Sequence, residues 1–327
     1  MMSDVLLNID GLSVDYETAR GDLKALRDIS FDIQKGEIIG IVGESGCGKS
    51  TLISSILRLT APNTRFRQGE IQFKGDDILK LSEKQMRNLR GADISIVFQD
   101  PMQSHNPVLS IGQQMLDIQH RIKLSKAEKL KRAAGMLGAV GIPDPEARLK
   151  QFPHEFSGGM RQRIAIAMAL MSEPDLLIAD EPTTALDATL EVQIIERLKE
   201  LQEEFHCAIL FISHHLGVIA ELCDRVVVMY AGAVVEKGDV REIFHNPRHP
   251  YTRRLIECDP GHIKERAREL PTIPGEVPDL IDVPKGCIFK DRCDQAMTKC
   301  AEETPALVTL KDGHKAACWL NHEEAEK

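Results

Sequence analysis

Nine residues, Gly43-Glu44-Ser45-Gly46-Cys47-Gly48-Lys49-Ser50-Thr51, constrain this chain more than any others. They fit G-x-x-x-x-G-K-[ST], a loop whose backbone N–H groups wrap a string of phosphates. The run before it, Ile38-Ile39-Gly40-Ile41-Val42, reads as a buried strand. The run after it, Ser50 to Leu59, reads as a helix with Leu52, Ile53, Ile56 and Leu57 on one face. Strand, glycine loop and helix are the context the motif needs. The glycines let several N–H groups converge on one anion, and the helix N-terminus adds about half a positive charge. Lys49 is placed to reach the β- and γ-phosphates, and the Ser50 hydroxyl to ligate Mg²⁺. Residues Gly43, Ser45, Gly46, Cys47, Gly48, Lys49, Ser50 and Thr51 are therefore expected to bind a nucleoside triphosphate. The alternative is an ordinary glycine-rich strand-to-helix turn, which a full match in this context disfavours.

At 327 residues the chain can bury a large core, with room for an appendage. A net charge of −9 without any basic run gives no sign of a nucleic-acid partner. No apolar run approaches the roughly 18 residues of a membrane span. Met1-Met2-Ser3-Asp4 does not read as a signal peptide, so a cytoplasmic location is expected.

Other candidate site residues fall at strand ends. Leu12, Val14 and Tyr16, and later Ile29, Phe31 and Ile33, alternate with polar residues, as antiparallel strands with one solvated face do. Tyr16 is a candidate platform for an adenine ring. Gly69 to Phe73 reads as another short strand. Ile94 to Phe98 reads as a buried strand that delivers Gln99, a candidate for Mg²⁺ or the attacking water. Residues from about 104 to 151 turn helical and charged. Ser157 then precedes Gly158 and Gly159 at the start of an apolar helix over Ile164 to Met171, a second anion site with Ser157 as N-cap. Leu176 to Ala179 reads as a strand presenting Asp180, the expected second anchor for Mg²⁺, and Glu181, placed to deprotonate a water. Ala208 to Ser213 is a further strand, ending in His214 and His215. Val226 to Tyr230 and Ala233 to Glu236 read as a closing hairpin.

Taken together, these residues resemble the ATP-binding subunits of ABC transporters. Gly43 to Thr51 is similar to their Walker A motif, Gln99 to the Q-loop, and Ser157-Gly158-Gly159-Met160-Arg161-Gln162 to the signature. Leu176 to Asp180 is similar to Walker B, Glu181 to the catalytic glutamate, Ala185-Leu186-Asp187 to the D-loop and His214 to the switch histidine. The resemblance covers about the first 250 residues. It implies an α/β fold: an ABC-type P-loop ATPase with an antiparallel β subdomain, a helical subdomain over about residues 104–171, and a cysteine-containing C-terminal extension. The ATPase would span 1–258 and the extension 259–327. It also implies that ATP is sandwiched between one subunit's P-loop and a second subunit's signature, and that hydrolysis moves attached membrane subunits.

Gln99-Asp100-Pro101-Met102, Phe156-Ser157-Gly158-Gly159-Met160 and Asn246-Pro247-Arg248-His249-Pro250-Tyr251-Thr252 resemble the dipeptide/oligopeptide/nickel importer branch. The implied partners are two transmembrane permease subunits, a second homologous ATPase in a heterodimer, and an extracytoplasmic solute-binding protein. The implied place is the cytoplasmic face of the inner membrane. Phe156, His215 and His105 depart from commoner residues at their positions, none of them catalytic. The rival class is a non-transport ABC ATPase acting on nucleic acid or ribosomes; such proteins usually carry two ATPase domains or long coiled-coil inserts, which this sequence does not show.

Beyond about Cys258 the chain is rich in proline and poor in apolar runs, which suggests an extension rather than more sheet. Four of its eight cysteines, Cys287, Cys293, Cys300 and Cys318, are spaced C-x5-C-x6-C-x17-C. Four thiolates suit Zn²⁺ or an iron–sulfur cluster, and the spacing leaves both open, with uncoordinated thiols as the third reading. The resemblance to peptide-importer tails implies a [4Fe-4S] cluster, most simply as a structural staple. His314 and His322 are expected to be exposed, and Cys207, Cys223 and Cys258 to be packed. Cys47, inside the phosphate loop, is a candidate for thiol modification that blocks nucleotide binding.

Overall fold

The computed structural model of the chain describes residues 4–100, 105–183, 188–259, 271–310 and 313–322. They form two compact units: Met1–Ile33, Ile38–Leu81 and Ser213–Lys327 make the first, Gln34–Glu37 and Ser82–Ile212 the second.

In the first unit, strands β1 (Val5–Thr18), β2 (Gly21–Gln34), β4 (Thr64–Phe73) and β5 (Asp76–Asp77) form a sheet in the order β2-β1-β4-β5. The two residues joining β1 to β2 permit only an antiparallel neighbour. β1 runs antiparallel to β4, from Leu7 opposite Phe73 to Tyr16 opposite Thr64. The alternation seen in the sequence becomes the inner face: Leu7, Ile9, Leu12, Val14, Ile29, Phe31 and Ile33 are all buried.

The same unit holds the strand order β11-β12-β10-β9-β3, made of β3 (Ile38–Val42), β9 (Arg225–Tyr230), β10 (Ala233–Asp239), β11 (Val308–Thr309) and β12 (Lys315–Ala316). β3 and β9 are parallel, with Val42 opposite Val228, while β9 and β10 form the expected antiparallel hairpin. Every residue of β3 is buried, as a run of five apolar positions demands.

The tail differs from its expected place outside the sheet. β12 pairs antiparallel with β10, Glu236 opposite Ala316 and Lys237 opposite Lys315, and β11 pairs with β12. A two-residue strand is too short to show a period in sequence. It forms here because an open strand edge offers unpaired backbone donors and acceptors to any extended segment.

In the second unit β6 (Ile94–Val97), β7 (Leu176–Asp180) and β8 (Ala208–Ile212) run parallel in the order β8-β7-β6. Helices Ile111–Ile118, Lys126–Ala139 and Gly158–Leu170 lie between β6 and β7 in sequence. Helix Lys126–Ala139 opens on a Ser125/Glu128 capping box and buries Ala133, Ala134, Met136 and Leu137. Lys126, Glu128 and Lys131 on it are exposed. No helix among the described residues is long and apolar enough to cross a membrane.

Candidate functional site

The phosphate loop begins where β3 ends. Gly43 takes a φ of 153°, and a Cβ there would lie 2.2 Å from the Met229 carbonyl oxygen, so only glycine lets the loop cross the end of β9. Gly48, at φ 109°, is the N-cap of helix Lys49–Leu57; a Cβ would meet Leu26 Cδ2 at 2.8 Å. The Gly232 N–H donates to the Cys47 carbonyl at 3.0 Å, tying the loop to the β9–β10 turn. Lys49 Nζ donates to the carbonyl oxygens of Gly43 at 2.7 Å and Glu44 at 3.3 Å. The helix stops at Leu57, two residues short of expectation, because Arg58 turns left-handed at φ 49°. Leu52, Ile53, Ile56 and Leu57 form its buried face as expected.

Tyr16 is half-buried on β1, and its hydroxyl donates to Thr51 Oγ1 at 3.1 Å. The sequence reading assigned this ring to adenine; the structure links it to the first turn of the P-loop helix. Cys47 is only 2% exposed, and burial pushes its thiol pKa up against the opposing influence of Lys49. It is a packed residue of the loop rather than an open nucleophile. His214 and His215 are exposed, their rings 4.4 Å apart edge to face.

In the second unit the register of two parallel strands assembles the acid chemistry. Val97 stands opposite Ala179, so Gln99 and Glu181 leave the ends of β6 and β7 at the same level. Gln99 Nε2 donates to Glu181 Oε2 at 2.8 Å. Glu181 adopts φ 46°, a left-handed backbone that is costly for a residue with a Cβ, and its N–H donates to the Ile212 carbonyl at 2.9 Å. Asp180, half-buried, is the last residue of β7.

Ser157 caps helix Gly158–Leu170, its Oγ accepting from the Met160 N–H at 3.4 Å. That cap starts the helix six residues before the apolar run that marked it in sequence. Ser157 is exposed, Gly158 half-buried and Gly159 buried. Phe156 and His105 are both buried; His105 Nε2 lies 3.0 Å from the Arg161 carbonyl, and burial lowers the ring's pKa. Asp187, with the rest of its motif, lies outside the described residues, as do Pro101 and Met102.

Two arrangements were not anticipated from the sequence. Arg292, from the tail, forms a bidentate ion pair with Glu44 of the phosphate loop at 2.7 and 3.0 Å. Glu236, fully buried on β10, accepts the N–H groups of Arg248 at 2.6 Å and His249 at 3.0 Å and lies 2.7 Å from His314 Nε2. His314 is thus buried and partnered rather than exposed. His322 is half-buried against Trp319 at 4.2 Å. A glutamate in the middle of a buried strand was the one hint that a partner had to come from elsewhere.

Cys207 and Cys223 are buried as expected, and Cys258 is half-buried. Cys287, Cys300 and Cys318 are buried and Cys293 half-buried. Burial raises the pKa of Cys318 to about 11, with Cys287, Cys293 and Cys300 adding to the rise. Burial likewise raises Cys287, with contributions from Cys300 and Cys293. The Cys287 N–H also donates to the Cys300 carbonyl at 2.7 Å. Among the described residues, no three His, Cys, Asp or Glu side chains are gathered closely enough to hold a metal ion as they stand.

Comparison with known proteins places this geometry. A family model described as ABC transporter matches residues 26–184, and one described as oligopeptide/dipeptide transporter, C-terminal region, matches 235–300. The dipeptide transport ATP-binding protein DppD of Bacillus subtilis is 48% identical over 98% of this chain and 96% of its own length. The oligopeptide transport ATP-binding protein OppD of the same organism is 48% identical over 98% of this chain and 90% of its own. DppD of Escherichia coli is 45% identical over 98% of both. Among solved structures, cbiO1 of Clostridium perfringens, part of the cbiONQ ABC transporter complex, superposes with a TM-score of 0.65 at 32% identity, over 75% of this chain and 92% of that one. A dimeric ATP-binding cassette bound to ADP and Pi in a post-hydrolysis state gives 0.64 at 27% identity, over 72% and 99%.

The P-loop after β3, the antiparallel sheet and the helices between β6 and β7 define an ABC-type P-loop ATPase. The chain belongs to the ATP-binding subunits of the dipeptide and oligopeptide ABC transporters. It is an ATP-hydrolysing, energising subunit of an importer of that class.

Proposed function

We propose that this subunit powers uptake of a peptide or related small solute by hydrolysing ATP at a site shared with a second, homologous ATPase subunit. The observation that carries the reading is the 2.8 Å hydrogen bond between Gln99 and Glu181, which orients a carboxylate at a strand end. In this reading Lys49 and the N–H groups of Gly43 to Thr51 hold the phosphates, and Tyr16 borders the adenine. Ser50, Gln99 and Asp180 would hold Mg²⁺, which neutralises charge on the phosphates when bound. Glu181 takes a proton from the attacking water, and His214 donates to the γ-phosphate. Ser157, Gly158, Gly159 and Asp187 face the nucleotide of the partner ATPase, so the pair closes on ATP and reopens after hydrolysis. The names of the relatives support a peptide cargo.

The ATPase would occupy residues 1–258 and the extension 259–327, at the cytoplasmic face of the inner membrane. Its other partners would be two transmembrane permease subunits and an extracytoplasmic binding protein. Cys287, Cys293, Cys300 and Cys318 would hold a [4Fe-4S] cluster, with Zn²⁺ as the alternative. What supports this is the presence of four cysteines in a segment that overlaps the C-terminal family match; among the described residues no three of them are gathered closely enough for a metal, so the tail would have to move to bring them into coordination.

Glu181→Gln tests the mechanism in the full chain. It should bind ATP as the wild type does and hydrolyse it about 100-fold or more slowly, the usual worth of a general base. Near-normal turnover would show that another group activates the water.

A further inference from the structure

We propose that Arg292 is a positioning residue for the ATP loop, acting through Glu44, so that the C-terminal tail is part of the nucleotide site. The proposal rests on the reading that Gly43 to Thr51 holds the phosphates.

Glu44 is held on both sides. Its N–H donates to the Tyr251 hydroxyl at 2.9 Å, and its carboxylate takes both Arg292 Nη1 at 2.7 Å and Nη2 at 3.0 Å. Its carbonyl accepts from Lys49 Nζ, the side chain assigned to the phosphates. Arg292 is in turn fixed: Nε donates to the Pro274 carbonyl at 2.9 Å, Nη2 to that of Ile273 at 3.1 Å, and Nη1 to the Tyr230 hydroxyl at 3.3 Å. Its side chain is only 4% exposed, and its guanidinium stacks over the Tyr230 ring, 5.6 Å from the centroid. Three residues earlier, Phe289 packs edge-on against Tyr230 at 5.2 Å and Tyr251 at 5.4 Å. One tail segment therefore grips both the carboxylate of Glu44 and the tyrosine that holds its N–H.

A bidentate arginine–carboxylate pair whose guanidinium is 4% exposed and whose carboxylate is 27% exposed fixes direction as well as distance, which a fully exposed pair does not. The tail also makes exposed pairs, among them Arg20–Asp279, 73% and 45% exposed. Glycine supplies Gly43, Gly46 and Gly48 with a backbone that is free to wander. Pinning Glu44 between two of them sets where the Gly43 and Glu44 carbonyls meet Lys49. Cys287 and Cys293 flank Phe289 and Arg292 in sequence, so order in the thiol segment is transmitted to the loop.

The test uses the full chain and a fluorescent ATP analogue, with ATPase kinetics alongside. Glu44→Gln and Arg292→Gln should each raise the Kd and KM for ATP about tenfold. Each should change kcat by less than about twofold, since the ion pair is assigned to ordering the loop and not to activating the water. The double variant should be no worse than either single one, because both remove the same contact. Arg20→Gln, which loosens only the exposed pair, should leave the Kd unchanged. If Arg292→Gln impairs folding by orphaning the Ile273 and Pro274 carbonyls, Glu44→Gln decides alone, because it leaves those bonds intact. A Kd unchanged in Glu44→Gln overturns the proposal and leaves the tail a staple. Lys49→Ala separates the two readings. If it weakens binding while Glu44→Gln does not, the loop binds ATP without the brace; if it binds normally, both fall.

Discussion

Lowering the pH from about 7.5 to about 4.5 should destabilise the fold through His249, because a buried imidazole resists the proton that the unfolded chain accepts. The residue is 2% exposed, and burial pushes its pKa from 6.5 down to about 4. Glu236 opposes that shift and Arg253 reinforces it. Its Nδ1 accepts the Tyr251 N–H at 3.0 Å, so protonation there would also break the cap of helix Pro250–Glu257. Between the two values the unfolded chain binds more protons, so stability is full above about 6.5 and is lost as the pH falls towards about 4. At about 1.4 kcal/mol per unit, the full gap corresponds to about 3.5 kcal/mol, of which about 2.5 kcal/mol is lost by about pH 4.5. The assay is the urea midpoint of the full chain at each pH, for wild type and for His249→Asn. Asparagine keeps an oxygen that can cap the helix and cannot titrate. Other acid-sensitive groups are common to both chains, so the wild type should lose about 2.5 kcal/mol more than the variant across this interval. Equal losses would refute the reasoning and assign acid sensitivity to other groups.

Iodoacetamide at neutral pH should label Cys258 faster than Cys47, because the loop thiol is 2% exposed and its pKa is raised by burial. Peptide mass spectrometry over time gives both rates, and Cys47 reacting first would contradict the packing described. The chain isolated without oxygen should carry iron and inorganic sulfide, and Cys300→Ser should lose both. Zinc without sulfide would select the alternative metal, and neither would remove the metal reading.

The sequence was most informative where chemistry and short-range geometry coincide. A buried strand, three glycines, a lysine and a hydroxyl located the phosphate loop to the residue: Gly43 and Gly48 answer contacts their neighbours impose, and Gly46 takes a left-handed φ of 79°. Gln99 and Glu181 could be named from strand ends, and the register of β6 on β7 is what turns two names into a hydrogen bond. The tail was read poorly for a physical reason. Its order comes from single long-range contacts spread over many turns: Phe289 among two tyrosines, His314 beside Glu236, and two residues paired with β10. None has a period, so a proline-rich segment with few apolar runs looked detached. At Gly158 the cap was legible: Ser157 reads as the N-cap in sequence, and its hydrogen bond rather than hydrophobicity sets the helix start.

A phosphate loop built on glycine gains close approach at the expense of rigidity, and binding is weakened if the ligand must order the loop itself. In the first unit that order is supplied in advance by groups distant in sequence. The Met229 carbonyl bounds Gly43, the Gly232 N–H holds Cys47, and Tyr251 and Arg292 hold Glu44 from opposite sides. The last two depend on helix Pro250–Glu257 and the tail, both outside the P-loop motif and matched by the C-terminal family model. The acid sensitivity of His249 and the ATP affinity tuned by Arg292 then have a common origin. His249 caps the helix that carries Tyr251, and Tyr251 carries the loop. Acid that uncaps this helix should weaken ATP binding before it unfolds the chain, and His249→Asn should remove that early loss. If affinity and global unfolding fall together in both proteins, the helix does not act on the loop separately from the rest of the fold.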